Sequence, residues 1–132
     1  MATTTPSDRA TLAAGRALLG IGLGHLALCL PPAVRHGQAG AWLRGELRRD
    51  PRRGAAPSEL AFWRGPGSLG VPLAVLGGVI AAMGRAGVPV PRAGVAALAA
   101  WAGFGAAVLE PSGFPLAAVP VGLLVAADRR RG

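Results

Sequence analysis

The sequence predicts an all-α, polytopic membrane protein, a four-helix up-down-up-down transmembrane bundle with a short interfacial helix between spans 1 and 2. Composition is the first reason: 52% of the 132 residues are hydrophobic and 15% are charged, whereas soluble domains carry about a quarter charged residues. Four apolar runs follow one another along the chain, and the arginines collect between them. Juxtamembrane charges have this distribution.

The length suits a single domain over residues 1–132, preceded by a polar tail, residues 1–10, that we expect to be disordered. The first span covers about residues 12–33, and Pro31-Pro32 predict the end of its helix. A cleaved signal peptide is the alternative. However, the small-residue site Ala39-Gly40-Ala41 lies too far beyond the apolar core, so we interpret the run as a retained transmembrane helix.

The connection after the first span contains a short amphipathic segment, Ala39 to Arg49. Trp42, Leu43 and Leu47 can share one face there, an arrangement that suits the membrane interface. The arginines of residues 48–53 indicate a solvated loop at the lipid headgroups, with a specific anionic-ligand site as the alternative.

The second span, about residues 60–83, is the one around which we expect the others to pack. It carries no charge from Gly67 to Met83. At 1.5 Å per residue it reaches roughly 36 Å, enough to cross a hydrocarbon core of roughly 30 Å with tilt. Pro66 and Pro72 should kink or unwind its first turns.

The third and fourth spans, about residues 93–110 and 113–127, are shorter and are joined by a turn at Glu110. Pro115 and Pro120 should deform the fourth. The pentapeptide that begins with Gly70 resembles the one that begins with Gly113, 43 residues later. This match indicates either two related helical hairpins in parallel orientation or chance similarity of Gly- and Pro-rich segments.

Small residues recur at helical spacing in three of the spans, which allows close approach of a neighbouring helix. We therefore expect helix packing and a homo-oligomer through the small-residue stripe, defined as Gly20, Gly24, Gly70, Ala74, Gly78, Ala82 and Gly103.

The arginine count predicts topology weakly, because seven arginines fall on each side of the membrane. The third connection carries none, so we place it outside and both termini in the cytoplasm, in a multi-pass protein of a bacterial inner membrane. Dual topology is the alternative.

Uncommon polar and aromatic groups converge on one end of the predicted bundle. Ionisable groups within membrane spans are costly and indicate function. The ligand-binding candidates are His25, Glu59, Trp63, Arg64, Ser68 and Glu110. Around one cavity they would suit a small lipophilic or cationic ligand, with Arg64 as the charge partner of the carboxylates.

Each of these residues also has a structural interpretation. His25 can donate a hydrogen bond to a backbone carbonyl between helices. Glu59 can favour the positive end of a helix dipole, and Trp63 can belong to the interfacial aromatic belt. Cys29 is the sole cysteine, so no internal disulfide is possible. We expect no metal and no cofactor, and without any nucleic-acid motif we expect no nucleic acid partner.

Three segments, GIGLGHLAL, FWRGPGSLGVPLAVLG and WAGFGAAVLEPSGFPLAAVP, resemble a family of small four-span bacterial integral membrane proteins of unknown function. The resemblance implies a fold and a location but no activity. With the lipid bilayer as partner, a structural or partner-binding role is the first hypothesis. The alternatives are a small-molecule transporter or exporter subunit, and a membrane-embedded enzyme that acts on a lipophilic substrate through the polar cavity, so enzymatic activity stays uncertain.

Overall fold

The structure is a computed structural model that describes residues 8–45, 47, 56–108 and 113–130. These residues are 83% helical and include no strand, which confirms the all-α prediction. In chain order the helices are α1 (Arg9–Arg35), α2 (Gln38–Leu43), α3 (Pro57–Arg64), α4 (Gly70–Arg85), α5 (Arg92–Val108), a 3₁₀ turn (Phe114–Ala117) and α6 (Ala118–Arg129).

Helix α1 begins at Arg9 because Asp8 caps it. The Asp8 carboxylate accepts hydrogen bonds from the backbone N–H groups of Ala10 and Thr11, at 3.0 and 3.2 Å, and from the Thr11 hydroxyl at 2.9 Å. These groups have no intrahelical acceptor, so the cap stabilises the helix start. Residues 1–7 of the predicted tail lie outside the described residues.

The prediction that Pro31-Pro32 end the first helix is wrong, because α1 continues through both prolines to Arg35. A proline removes one backbone donor and so frees the carbonyl four residues earlier. Those carbonyls belong to Ala27 and Leu28, which are exposed. The N–H of His36 still bonds the Pro32 carbonyl at 3.0 Å, so the helical backbone resumes after the pair.

The chain forms two compact units. The first contains the residues up to Ile21 and those from Ala74 onward, and the second contains Gly22–Leu73.

In the first unit, α1 and α4 pack antiparallel at very short range. A Cβ on Gly15 would lie 2.7 Å from the Gly77 carbonyl oxygen, and a Cβ on Gly84 would lie 2.7 Å from Leu12 Cα. Such distances leave no room for any side chain. The core of this unit includes Ala14, Leu18, Ile80, Ala81, Val95, Ala102, Leu124 and Ala127.

Helices α5 and α6 of the first unit are also antiparallel. Arg92 at the start of α5 forms an ion pair with Asp128 at the end of α6, at 3.0 Å. At the other end Trp101 packs on Phe114, with ring centroids 4.9 Å apart. The predicted deformation of this last segment is confirmed at Pro115, which lies in a 3₁₀ turn, but not at Pro120, which lies within the regular helix α6.

In the second unit, the second half of α1 packs on the segment where α3 gives way to α4. The helix leaves regular geometry at Gly65 (φ −111°, ψ −107°) and resumes at Gly70. Pro66 lies in this break, as predicted, and Pro72 lies in the first turn of α4. The predicted interfacial helix corresponds to the shorter α2, and the arginines of residues 48–53 lie outside the described residues.

One described helix, α1, is long and apolar enough to cross a membrane. Its most apolar 18-residue window has a mean hydropathy of 1.8, and 17% of that window is buried. Helices α4 and α5 are apolar but shorter, at 16 and 17 residues.

Candidate functional site

His25 joins α1 to the end of α3. Its Nε2 lies 2.9 Å from the backbone carbonyl oxygen of Arg64. A carbonyl can only accept, so Nε2 carries the proton and donates it. Arg64 is the last residue of α3, where carbonyls have no intrahelical donor. The imidazole therefore satisfies a helix end, as the structural interpretation of His25 predicts.

Cys29 lies one turn after His25, with its Sγ 3.7 Å from Nε2. Because Nε2 is already a donor to Arg64, the sulfur can act only as a weak second acceptor of the same proton. Within the described part of the chain, no three His, Cys, Asp or Glu residues lie close enough to hold a metal ion.

Glu59 and Arg64 occupy opposite ends of α3, with Glu59 in its first turn and Arg64 in its last. Each charge therefore faces the favourable pole of the helix dipole. Among the described residues no ion pair joins the two side chains, and the Arg64 side chain is exposed. The pairing of Arg64 with Glu110 stays a prediction, since Glu110 lies outside the described residues.

Trp63 belongs to a row of three aromatic rings in the second unit. It lies edge-on to Phe62, with centroids 5.5 Å apart, and Phe62 lies edge-on to Trp42 at 5.9 Å. The Trp42 indole N–H donates to the Ser58 carbonyl oxygen at 2.7 Å, which fixes α2 against α3. Trp63 is 61% exposed. The sequence indicated Trp63 as a candidate, but neither its ring contact with Phe62 nor the contact of Phe62 with Trp42 was predicted.

Ser68 closes the break between α3 and α4. Its hydroxyl donates to the Gly65 carbonyl oxygen at 2.5 Å and accepts from the Gly70 N–H at 3.2 Å. One side chain thus satisfies a carbonyl released by α3 and a donor at the start of α4. This local bonding is typical of serine at turns and helix caps.

Among the described residues, the ligand-binding candidates make separate contacts around the helix break. His25 and Ser68 bind backbone groups of the same helix break, Trp63 lies edge-on to Phe62, and Glu59 and Arg64 lie at separate ends of α3. The predicted common cavity with Glu110 stays a prediction.

The small-residue stripe is only partly occupied within the chain. Gly70 lies against His25 and Leu26, with 3.0 Å between its Cβ position and the imidazole. Among the described residues, no atom lies within 4 Å of a Cβ placed on Gly20, Gly24, Gly78 or Gly103. The closest helix contacts instead use Gly15, Gly77 and Gly84, which sequence spacing alone did not single out.

A surface depression of about 430 Å³ lies in the first unit, where α1 begins and α6 ends. Its lining residues are Asp8, Arg9, Ala10, Ala13, Leu123 and Arg130. The sequence analysis treated both arginines only as topology signals. The Asp8 cap, an acidic residue just before an apolar run, was the signal that could have placed the helix start there.

Comparison with known proteins gives a family but no activity. A search of curated proteins and a search of solved structures each returned no match. A family model described as "Family of unknown function (DUF6463)" matches residues 9–131, which include every described helix and nearly the whole chain. The resemblance to an uncharacterised family is thereby confirmed at that level, and the chain belongs to the family of unknown function DUF6463.

Proposed function

We propose that this chain is a small integral membrane protein of the bacterial inner membrane, with a structural or partner-binding role, four spans and both termini in the cytoplasm. The observation that carries the proposal is the exposure of α1. Only 17% of its most apolar window is buried. The core helix of a soluble protein is apolar because it is buried, whereas this helix is apolar and uncovered.

The shorter helices support the proposal because they also expose large apolar side chains. Val75 and Val79 of α4 are 62% and 52% exposed, and Phe104 and Val108 of α5 are 69% and 60% exposed. In water each such side chain costs on the order of 1 kcal/mol relative to burial. Lipid tails remove that cost without any further protein contact.

The hydrogen bonds at the helix break support a structural role in the same environment. Lipid cannot satisfy backbone groups, so an interrupted helix at membrane depth needs partners within the protein. His25 supplies a donor to the Arg64 carbonyl, and Ser68 serves both Gly65 and Gly70. These polar side chains stabilise an irregular backbone segment, which requires no substrate.

Membrane insertion is tested on the full chain by fractionation. The protein should stay in the membrane pellet after extraction at alkaline pH. Its mass should equal that of the uncleaved chain, since a signal sequence near the N-terminus would be removed. Release at alkaline pH or loss of α1 from the mature protein would contradict the proposal.

Topology is tested by cysteine labelling in a Cys29→Ser background. A cysteine replacing Ala86, an exposed residue after α4, should react with an impermeant maleimide only from the cytoplasmic side. A cysteine replacing Ser112 should react only from the opposite side. Reversed or two-sided labelling would overturn the orientation, while the fractionation result would stand independently.

A further inference from the structure

The depression between the start of α1 and the end of α6 is lined by both charged and apolar residues. Arg9 and Arg130 supply two cationic side chains, and Ala10, Ala13 and Leu123 supply the apolar wall. Its volume is about 430 Å³, and it is open to the surroundings rather than enclosed.

Both arginines are available to a ligand. Their side chains are exposed, and among the described residues neither forms an ion pair. Arg92, by contrast, is held by Asp128. The Asp8 carboxylate accepts three hydrogen bonds from the first turn of α1, so it serves the helix start. Two arginines against one aspartate leave the lining with a net positive charge.

We propose that this depression binds an anionic phospholipid, with the headgroup phosphate on Arg9 and Arg130 and the beginning of an acyl chain along Ala13 and Leu123. Guanidinium groups bind phosphate oxygens in pairs of hydrogen bonds, and basic pockets between membrane helices commonly hold anionic headgroups. The inference rests on the proposed membrane location and names a ligand for it.

An anionic lipid fits the depression better than free phosphate does. Inorganic phosphate would use the arginines but would leave Ala10, Ala13 and Leu123 without a partner. A phospholipid offers a partner to both kinds of lining residue, since its glycerol and first methylene groups lie directly beside the phosphate. The depression is also located at helix ends, where the headgroup region of a bilayer would lie.

The test is lipid retention by the full chain, purified in mild detergent from membranes with equal amounts of phosphatidylglycerol and phosphatidylethanolamine. Native mass spectrometry counts the bound lipid of each kind. The wild-type protein should retain phosphatidylglycerol preferentially. The Arg9→Gln, Arg130→Gln double variant should lower the preference for phosphatidylglycerol over phosphatidylethanolamine by about 25-fold, because two arginines near anionic lipid usually contribute about that much to binding.

The matched control is the Arg85→Gln, Arg129→Gln double variant, which removes the same charge from exposed residues at the ends of α4 and α6, outside the depression. The preference of this control variant for phosphatidylglycerol should change by less than about threefold, because salt screening weakens the effect of charges that lie farther from the depression. Ala13→Trp, which fills the depression without changing charge, should also lower retention.

Equal losses in the two double variants would overturn the proposal, because diffuse attraction would then explain the lipid. Full retention by Ala13→Trp, or displacement of the lipid by excess inorganic phosphate, would overturn it as well. Failure of the membrane proposal itself is seen separately, as release of the wild-type chain from membranes at alkaline pH.

Discussion

The His25 side chain contacts both ends of the break between α3 and α4. Its Nε2 donates to the Arg64 carbonyl, and its ring lies against Gly70. It therefore contacts both the last residue of α3 and the first residue of α4. The sequence placed a histidine near the end of an apolar run, which indicated either a ligand or a structural donor. The position of its acceptor required the three-dimensional structure, because Arg64 lies 39 residues away.

We predict that His25→Ala destabilises the protein by about 1–3 kcal/mol in detergent, because apolar surroundings offer the exposed Arg64 carbonyl no other donor. Thermal unfolding in detergent measures the change. His36→Ala is the control, since His36 is exposed just beyond α1 and should change stability by less than about 0.5 kcal/mol. His25→Gln, with an amide donor, should recover part of the loss. Equal effects at positions 25 and 36 would refute this role.

At the scale of elements, the packing of α1 on α4 depends on which face of each helix carries the small residues. Gly77 and Gly78 are neighbours in sequence but lie on different faces. A Cβ on Gly77 would lie 2.7 Å from the Gly15 carbonyl oxygen, whereas among the described residues nothing lies within 4 Å of one on Gly78. One glycine is required for helix contact within the chain, and the other leaves its face uncovered.

We predict that Gly77→Ala destabilises the protein by about 1–3 kcal/mol through overpacking of backbone against backbone. Gly78→Ala is the matched control and should be neutral or stabilising by up to about 1 kcal/mol, because alanine favours helix. Thermal unfolding of both variants in the same detergent distinguishes them. Equal melting temperatures would show that the close contact with α1 is absent.

We also predict that Gly78→Leu leaves this stability unchanged while it reduces chemical cross-linking between copies in the membrane. This follows from the proposal that the uncovered stripe meets a second copy of the chain. Cross-linking as strong as in the wild type would show that Gly78 contacts lipid instead.

Helix positions were predictable from the sequence, and helix rotation was not. The apolar runs located α1, α4, α5 and α6 because their length and composition are local properties. Glycines are abundant on several faces, at Gly15, Gly20, Gly24, Gly77, Gly78 and Gly84, so spacing alone could not identify the contact face. The diproline misled because two adjacent prolines did not end the helix: α1 continues through Pro31 and Pro32 to Arg35.

At the scale of the whole molecule, the proposed spans differ in length. Helix α1 has 27 residues, roughly 40 Å, whereas α5 has 17 residues, roughly 26 Å, and α6 has 12 residues, roughly 18 Å. A hydrocarbon core of roughly 30 Å is therefore too thick for the short helices and thin enough for α1 to cross with tilt. The short helices therefore set the preferred bilayer thickness, since tilting reduces the thickness that a long helix spans but cannot increase the span of a short one.

We predict that the reconstituted protein is more stable in bilayers with short acyl chains than in bilayers with long ones. The difference should be fractions of a kcal/mol per Å of mismatch. Unfolding temperatures in a series of phosphatidylcholine vesicles with increasing chain length measure it. Stability that rises steadily with thickness would contradict the span lengths, and a thickness-independent value would argue against spanning altogether.

The difference in length between α1 and the shorter helices also affects how the chain would be inserted into a membrane during synthesis. Only α1 among the described helices is long and apolar enough to cross a membrane, and it precedes the other described helices in the chain. We expect the insertion machinery to recognise α1 as a signal anchor and to release α5 and α6 into lipid together, as a preassembled hairpin joined by Trp101 and Phe114. Membrane insertion of the whole chain would then depend on α1. Without α1, the later helices would not be inserted one after another in the correct orientation.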